Sequence, residues 1–110
     1  MTEKFLTNAR IIDPSQEMDE KGCVIIDESG KIKLIGKDVK KSDTSSNAEV
    51  IDLKNNILIP GIVDMKSFVG EPGFEYKENF RTLSNAALAG GVTSIVTMPN
   101  TKPLIDNVSM

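Results

Sequence analysis

The residues best equipped for chemistry follow directly on an apolar run. Ile57–Val63 is apolar except for Pro60-Gly61, and Asp64, Lys66, Ser67 and Glu71 then appear within a few positions, ending in Gly73. A second polar group, Asn100, Thr101, Lys102, Asp106 and Asn107, follows the apolar stretch Val92–Met98. Asp64 has two readings, as a metal ligand or charge partner and as a structural hydrogen-bond acceptor. Glu71, in G-E-P-G, is read as catalytic or as the cap of a loop. Asn100 can bind a carboxylate or carbonyl through its amide, or it can stabilise a turn.

The residue types that are missing narrow the chemistry further. There is no histidine. That removes imidazole acid–base catalysis, Ser-His triads and imidazole–metal bonds from anything this chain does alone. Cys23 is the single cysteine, so neither an intramolecular disulfide nor a thiolate metal cluster is available. In C-V-I-I it reads as a small buried hydrophobe. Any metal held here would need carboxylates.

These groups have to be positioned by secondary structure, and the pattern predicts an α/β chain. Lys4–Ile12 reads as a strand stopped by Asp13-Pro14-Ser15, and Ser15–Lys21 as a polar surface connection. Cys23–Asp27 and Lys31–Gly36 read as a hairpin turning at Glu28–Lys31, with Gly30 free to take positive φ. Lys37–Ala48 is rich in Ser and Lys and is expected to be a mobile solvated loop rather than a phosphate site. Glu49–Leu53 is a short strand, Asn55-Asn56 a turn, and Ile57–Met65 the central buried strand. Tyr76, Phe80, Leu83 and Ala87 fall on one helical stripe, which predicts a helix over Glu75–Ala89 capped by Gly90-Gly91. Val92–Met98 is the next strand, so strand, helix and strand form a parallel βαβ unit. The expected division is 1–56, a β layer, and 57–110, the βαβ unit.

In a parallel α/β barrel, function collects at the C-terminal strand ends. Here those ends are Asp64–Gly73 and Asn100–Asn107. A full barrel needs roughly 250 residues, so the 110 present read as a fragment or as one portion of a longer product. With 39% hydrophobic and 26% charged residues and a net charge of −3, the composition is that of an ordinary globular protein. It offers no basic patch for nucleic acid. No apolar run approaches the roughly 20 residues that span a bilayer, and M-T-E-K-F-L is not a signal peptide. The expectation is a cytoplasmic protein.

Read together, these segments resemble the N-terminal part of a dihydroorotase of the long bacterial type, within the amidohydrolase superfamily. The stretches that carry the resemblance are N-A-R-I-I-D-P, G-K-I-K-L-I-G, V-I-D-L-K-N-N-I-L-I-P-G-I-V-D-M, G-E-P-G-F-E-Y-K-E-N-F and A-A-L-A-G-G-V-T-S-I-V-T-M-P-N-T-K-P-L-I-D-N. The resemblance implies a (β/α)8 TIM barrel beside a small β-sandwich, with 1–56 as part of the sandwich and 57–110 as the first barrel unit. It also implies reversible closure of carbamoyl-aspartate to dihydroorotate in pyrimidine synthesis, with zinc activating a hydroxide.

The family pattern at the end of strand one is Asp-Met-His-x-His-x-Arg-Glu-Pro-Gly. This chain reads Asp64-Met65-Lys66-Ser67-Phe68-Val69-Gly70-Glu71-Pro72-Gly73. Lys66 and Phe68 stand at the two histidine positions and Gly70 at the arginine position, which leaves Asn100 as the substrate-binding residue. An ammonium repels a dication, phenylalanine has no donor atom, and glycine cannot pair with a carboxylate. The expected reading is a catalytically silent dihydroorotase-like chain with no cofactor of its own. Inactive chains of this family act as scaffolds for aspartate transcarbamoylase, so a structural role beside that enzyme follows, alongside association with further copies or another portion of the chain. The alternative is an active dihydroorotase or related cyclic amidohydrolase with non-standard ligands, Asp64 and downstream carboxylates among them. A non-functional fragment, or histidines removed by design, is a third reading.

Overall fold

The computed structural model describes residues 1–109. It is mixed α/β, mostly strands with one α-helix, and divides into Met1–Pro60 and Gly61–Met110.

The first unit is a five-stranded sheet. β1 (Lys4–Asp13) pairs antiparallel with β2 (Met18–Ile26), and β2 pairs antiparallel with β3 (Ile32–Gly36). On its other side β1 pairs in parallel with β4 (Glu49–Asp52) and then β5 (Ile57–Leu58). A kink lets one strand serve two partners. Asn8 takes φ +56° and the β1–β2 register slips between Leu6 and Ala9. Opposite it, Lys54 and Asn55 take φ +52° and +63°, and the Asn55 amide donates to the Asn8 carbonyl at 2.7 Å. Asn tolerates the left-handed region better than most residues. The slip switches β1's inward face, so that Leu6 before it and Ala9 and Ile11 after it join one core with Val24, Met18, Ile26, Ile35, Leu53 and Leu58.

Several expectations about this unit change. Ser15–Lys21 is not a surface connection, because β2 already starts at Met18, after a short 3-10 turn (Pro14–Gln16) capped by Asp13. The reach of β1 pulls that polar stretch into the ladder, with Arg10 opposite Lys21 and bonded through Nε and Nη2 to Asp19. The hairpin at Asp27–Lys31 forms as expected, with Gly30 at φ +85° and Asp27 Oδ1 accepting from the Ser29 and Lys31 amides. Cys23 is half-buried rather than buried.

The polar loop after β3 is tied down as well. Glu3 is 5% exposed. Its carboxylate accepts from the Ser45 amide at 2.6 Å and from Lys33 Nζ at 2.9 Å, joining the start of β1, β3 and the loop. The Ser45 amide, and after it the Lys33 ammonium, hold the Glu3 carboxyl down at about 2.

The second unit is a parallel pair, β6 (Ile62–Ser67) and β7 (Val92–Thr97), joined through α1 (Phe80–Ala89). The parallel βαβ unit is therefore present. The single strand expected over Ile57–Met65 is not. Ile57-Leu58 belong to the first sheet, and β6 begins after Pro60, which has no N–H to donate to a ladder. Nor is β6 buried: Met65 is 70% exposed, and Ile62 and Val63 are also exposed, since one helix and one strand of its own unit cannot cover both its faces. The helix is shorter than its stripe suggested. Leu83 and Ala87 are half-buried, Phe80 is exposed, and Tyr76 lies before the helix. No helix among the described residues is long and apolar enough to cross a membrane.

Two outcomes test this architecture. Glu3 titrates below its ordinary value, so its contribution to stability is complete above about pH 4.5 and lost as pH falls toward 2. Glu3→Gln should therefore lower the melting temperature at neutral pH and flatten its fall between those limits in an acid titration. A Cβ on Gly22 would stand 2.4 Å from the Gly36 carbonyl oxygen, so Gly22→Ala should cost about 1–3 kcal/mol in denaturant unfolding.

Candidate functional site at the ends of the parallel strands

Parallel pairing sets the C-terminal ends of β6 and β7 at one edge, with Ser67 opposite Thr97 and the Met98 amide donating to the Ser67 carbonyl at 2.9 Å. The loops leaving this edge are stitched once more, by the Lys102 amide on the Pro72 carbonyl at 2.9 Å. Gly73, at φ +99°, sits against Lys102 so closely that a Cβ would fall 2.2 Å from its carbonyl oxygen. The two polar groups expected at the strand ends thus flank one pair of touching loops.

Several of the polar residues bond to nearby backbone amides. Asp64 is exposed, and its Oδ1 accepts from the Lys66 amide at 3.0 Å. That amide first, and the Ser67 hydroxyl next, hold its carboxyl below the usual range. Glu71 Oε2 accepts from the Phe80 amide at 3.0 Å. This makes it a cap for the first turn of α1, the second of its two readings. Asn79 supplies the rest of that cap, its Oδ1 accepting from Thr82 and its amide donating to the Thr82 hydroxyl. Three of the donors a helix start leaves open are thereby satisfied. Glu75 and Glu78 precede the helix, and Glu75 accepts from the Gly73 amide at 2.9 Å.

Asn100 is exposed. The turn after Pro99 is held instead by buried Thr101, whose amide donates to the Pro99 carbonyl and whose hydroxyl donates to the Pro103 carbonyl, each at 2.9 Å. Asp106 and Asn107 bond to each other, 2.7 Å apart.

The three positions read as departing from the family pattern have different surroundings. Lys66 is exposed on β6. Phe68 packs on Phe74, ring centroids 6.2 Å apart and tilted by 53°. Gly70 is buried at φ +75°, next to Val69, which is wholly buried. Lys77 Nζ lies 5.5 Å from the Phe74 ring and 5.6 Å from that of Tyr76, within cation–π range. Tyr76 and Lys77 fall within the helix expected over Glu75–Ala89, yet both precede its start at Phe80. The Asn79-x-x-Thr82 capping pattern was the signal that would have started the helix at Phe80.

Zinc, which the resemblance implies, does not fit these residues. Neither Lys66 nor Phe68 offers a lone pair, and among the described residues no three of His, Cys, Asp and Glu lie together so as to hold an ion.

Comparison with known proteins places this edge in context. No family model matches the chain. It is similar to dihydroorotases. Identity is 45% over 103 residues with that of Trichlorobacter lovleyi, covering 94% of this chain and 23% of the relative. It is 42% over 106 residues with that of Pelobacter propionicus, covering 96% and 24%. With that of Aquifex aeolicus it is 40% over 110 residues, covering 100% and 25%. The chain therefore spans about a quarter of the length of the curated relatives it matches, and an N-terminal portion of a dihydroorotase fits.

The capping arrangement makes one prediction. Asn79→Ala should destabilise the protein by about 1 kcal/mol in denaturant unfolding, and helicity measured by circular dichroism should fall with it.

Proposed function

We propose that this chain is the N-terminal portion of a dihydroorotase-like protein of pyrimidine biosynthesis, that β6 and β7 begin a (β/α)8 barrel of the amidohydrolase type, and that the strand-one site is catalytically silent. Its role is structural, beside aspartate transcarbamoylase in the cytoplasm. The observation that carries this reading is the side-chain chemistry of β6's end. The frame, Pro60-Gly61 before and Glu71-Pro72-Gly73 after, is like the family's, while the positions that should present two metal donors and a carboxylate-binding cation hold Lys66, Phe68 and Gly70. A lysine ammonium has no lone pair for zinc and repels it. The polar groups that remain are engaged locally: Asp64 with the Lys66 amide, Glu71 with the Phe80 amide.

Two measurements test this. The protein purified in zinc should open dihydroorotate at no more than the buffer rate. Zinc-dependent turnover that Asp64→Asn abolishes would establish instead the active amidohydrolase with non-standard ligands. Affinity purification from the native source should bring down a transcarbamoylase subunit, and recovery of the chain without one contradicts the scaffold role.

A further inference from the structure

The loop that follows β6 is tight at Gly70. Its carbonyl accepts from the Phe74 amide at 2.6 Å, and the Phe74 carbonyl accepts in turn from the Lys77 and Glu78 amides. This coil wraps the glycine. A Cβ built on Gly70 would lie 2.6 Å from the Glu78 carbonyl oxygen, 3.0 Å from that of Phe74 and 3.3 Å from Cε1 of Phe68. Two of these neighbours are backbone and cannot swing away. The φ of +75° adds a second penalty for any side chain. The third neighbour belongs to Phe68, another of the departing positions, whose ring packs on Phe74.

We infer that the arginine position of this strand end is closed rather than vacant: Phe68 and Gly70 form one packed unit, in which the Phe68 ring and the carbonyls of Phe74 and Glu78 fill the space where a side chain at position 70 would begin. The inference rests on the reading above for the alignment of positions 66, 68 and 70 with the family pattern; the closure itself is a property of the loop. The two departures are then a single coordinated change, and restoring arginine at position 70 disrupts the loop before it can recover a substrate contact. Lys66 stands outside the unit, exposed on β6.

The glycines of the chain provide the controls. Gly91 has a similar φ of +82° with nothing within 4 Å of its virtual Cβ, so Gly91→Ala reports the backbone penalty alone. Gly70→Ala should melt at least about 4 °C below Gly91→Ala, and Gly70→Arg lower still, with trypsin cleaving faster after Lys77 in both Gly70 variants only. Failure of Gly70→Ala to fold where Gly91→Ala folds is the same result in its extreme form. Lys66→His should melt like the parent protein. The closure is overturned if Gly70→Ala melts no lower than Gly91→Ala, or if Lys66→His falls as far as Gly70→Ala. Zinc-dependent turnover by the unaltered protein would sink the silent reading without moving these melts, and equal melts would sink the closure without touching that reading.

Discussion

Parallel pairing of β6 with β7 is the constraint from which the candidate site follows. Two strands running the same way cannot be joined by a tight turn, so the chain must leave the end of β6, travel back and re-enter beside its start. α1 makes the return journey, and residues 68–79 have to bring the chain from the strand end to the helix start. That segment has many backbone donors and acceptors and little regular structure to satisfy them. Its solution is dense local bonding: Gly70 to Phe74, Phe74 to Lys77 and Glu78, Pro72 to Lys102, and Glu71 to the first amide of the helix. The glycines at positions 70 and 73 are where this coil presses backbone against backbone.

That density explains the character of the strand end. A binding site needs polar groups whose hydrogen-bonding capacity is left for a ligand. Here Asp64 and Glu71, the carboxylates nearest the strand end, each accept from a backbone amide, that of Lys66 within β6 and that of Phe80 at the start of α1. The aromatic residues Phe68 and Phe74 pack on each other beside them, Phe68 exposed and Phe74 half-buried. The similarity to dihydroorotases at 40–45% identity over nearly the whole chain sits beside a β6 end whose side chains are unsuited to zinc. Frame and chemistry are separable because the frame depends on backbone geometry, set by Gly and Pro, while the chemistry depends on three side chains.

Much of this was legible in the sequence, and the failures have physical causes. The Gly30 hairpin, the Asp13-Pro14 turn, the Gly90-Gly91 helix end and the parallel βαβ unit follow from local rules, and each is present. The helix start was misplaced because Tyr76 falls on the apolar stripe of Leu83 and Ala87, whereas the capping partners Asn79 and Thr82 decide where the helix begins. Ile57–Met65 reads as one buried strand, but Ile57-Leu58 find β1, a partner far away in sequence, and Pro60 interrupts the ladder. No pattern marks a kink that appears only when Asn8 and Asn55 meet across strands. At the site, the residue types say which side chains are present, while the packing of Phe68 against the space above Gly70 depends on how the loop folds.

The central claim is that the end of β6 offers zinc no ligand. Zinc titration followed by backbone amide NMR addresses that position by position. The account predicts that the amide signals of Asp64 to Gly70 stay in place through saturating zinc. Saturable shifts centred on Lys66, Phe68 and Gly70 would contradict it.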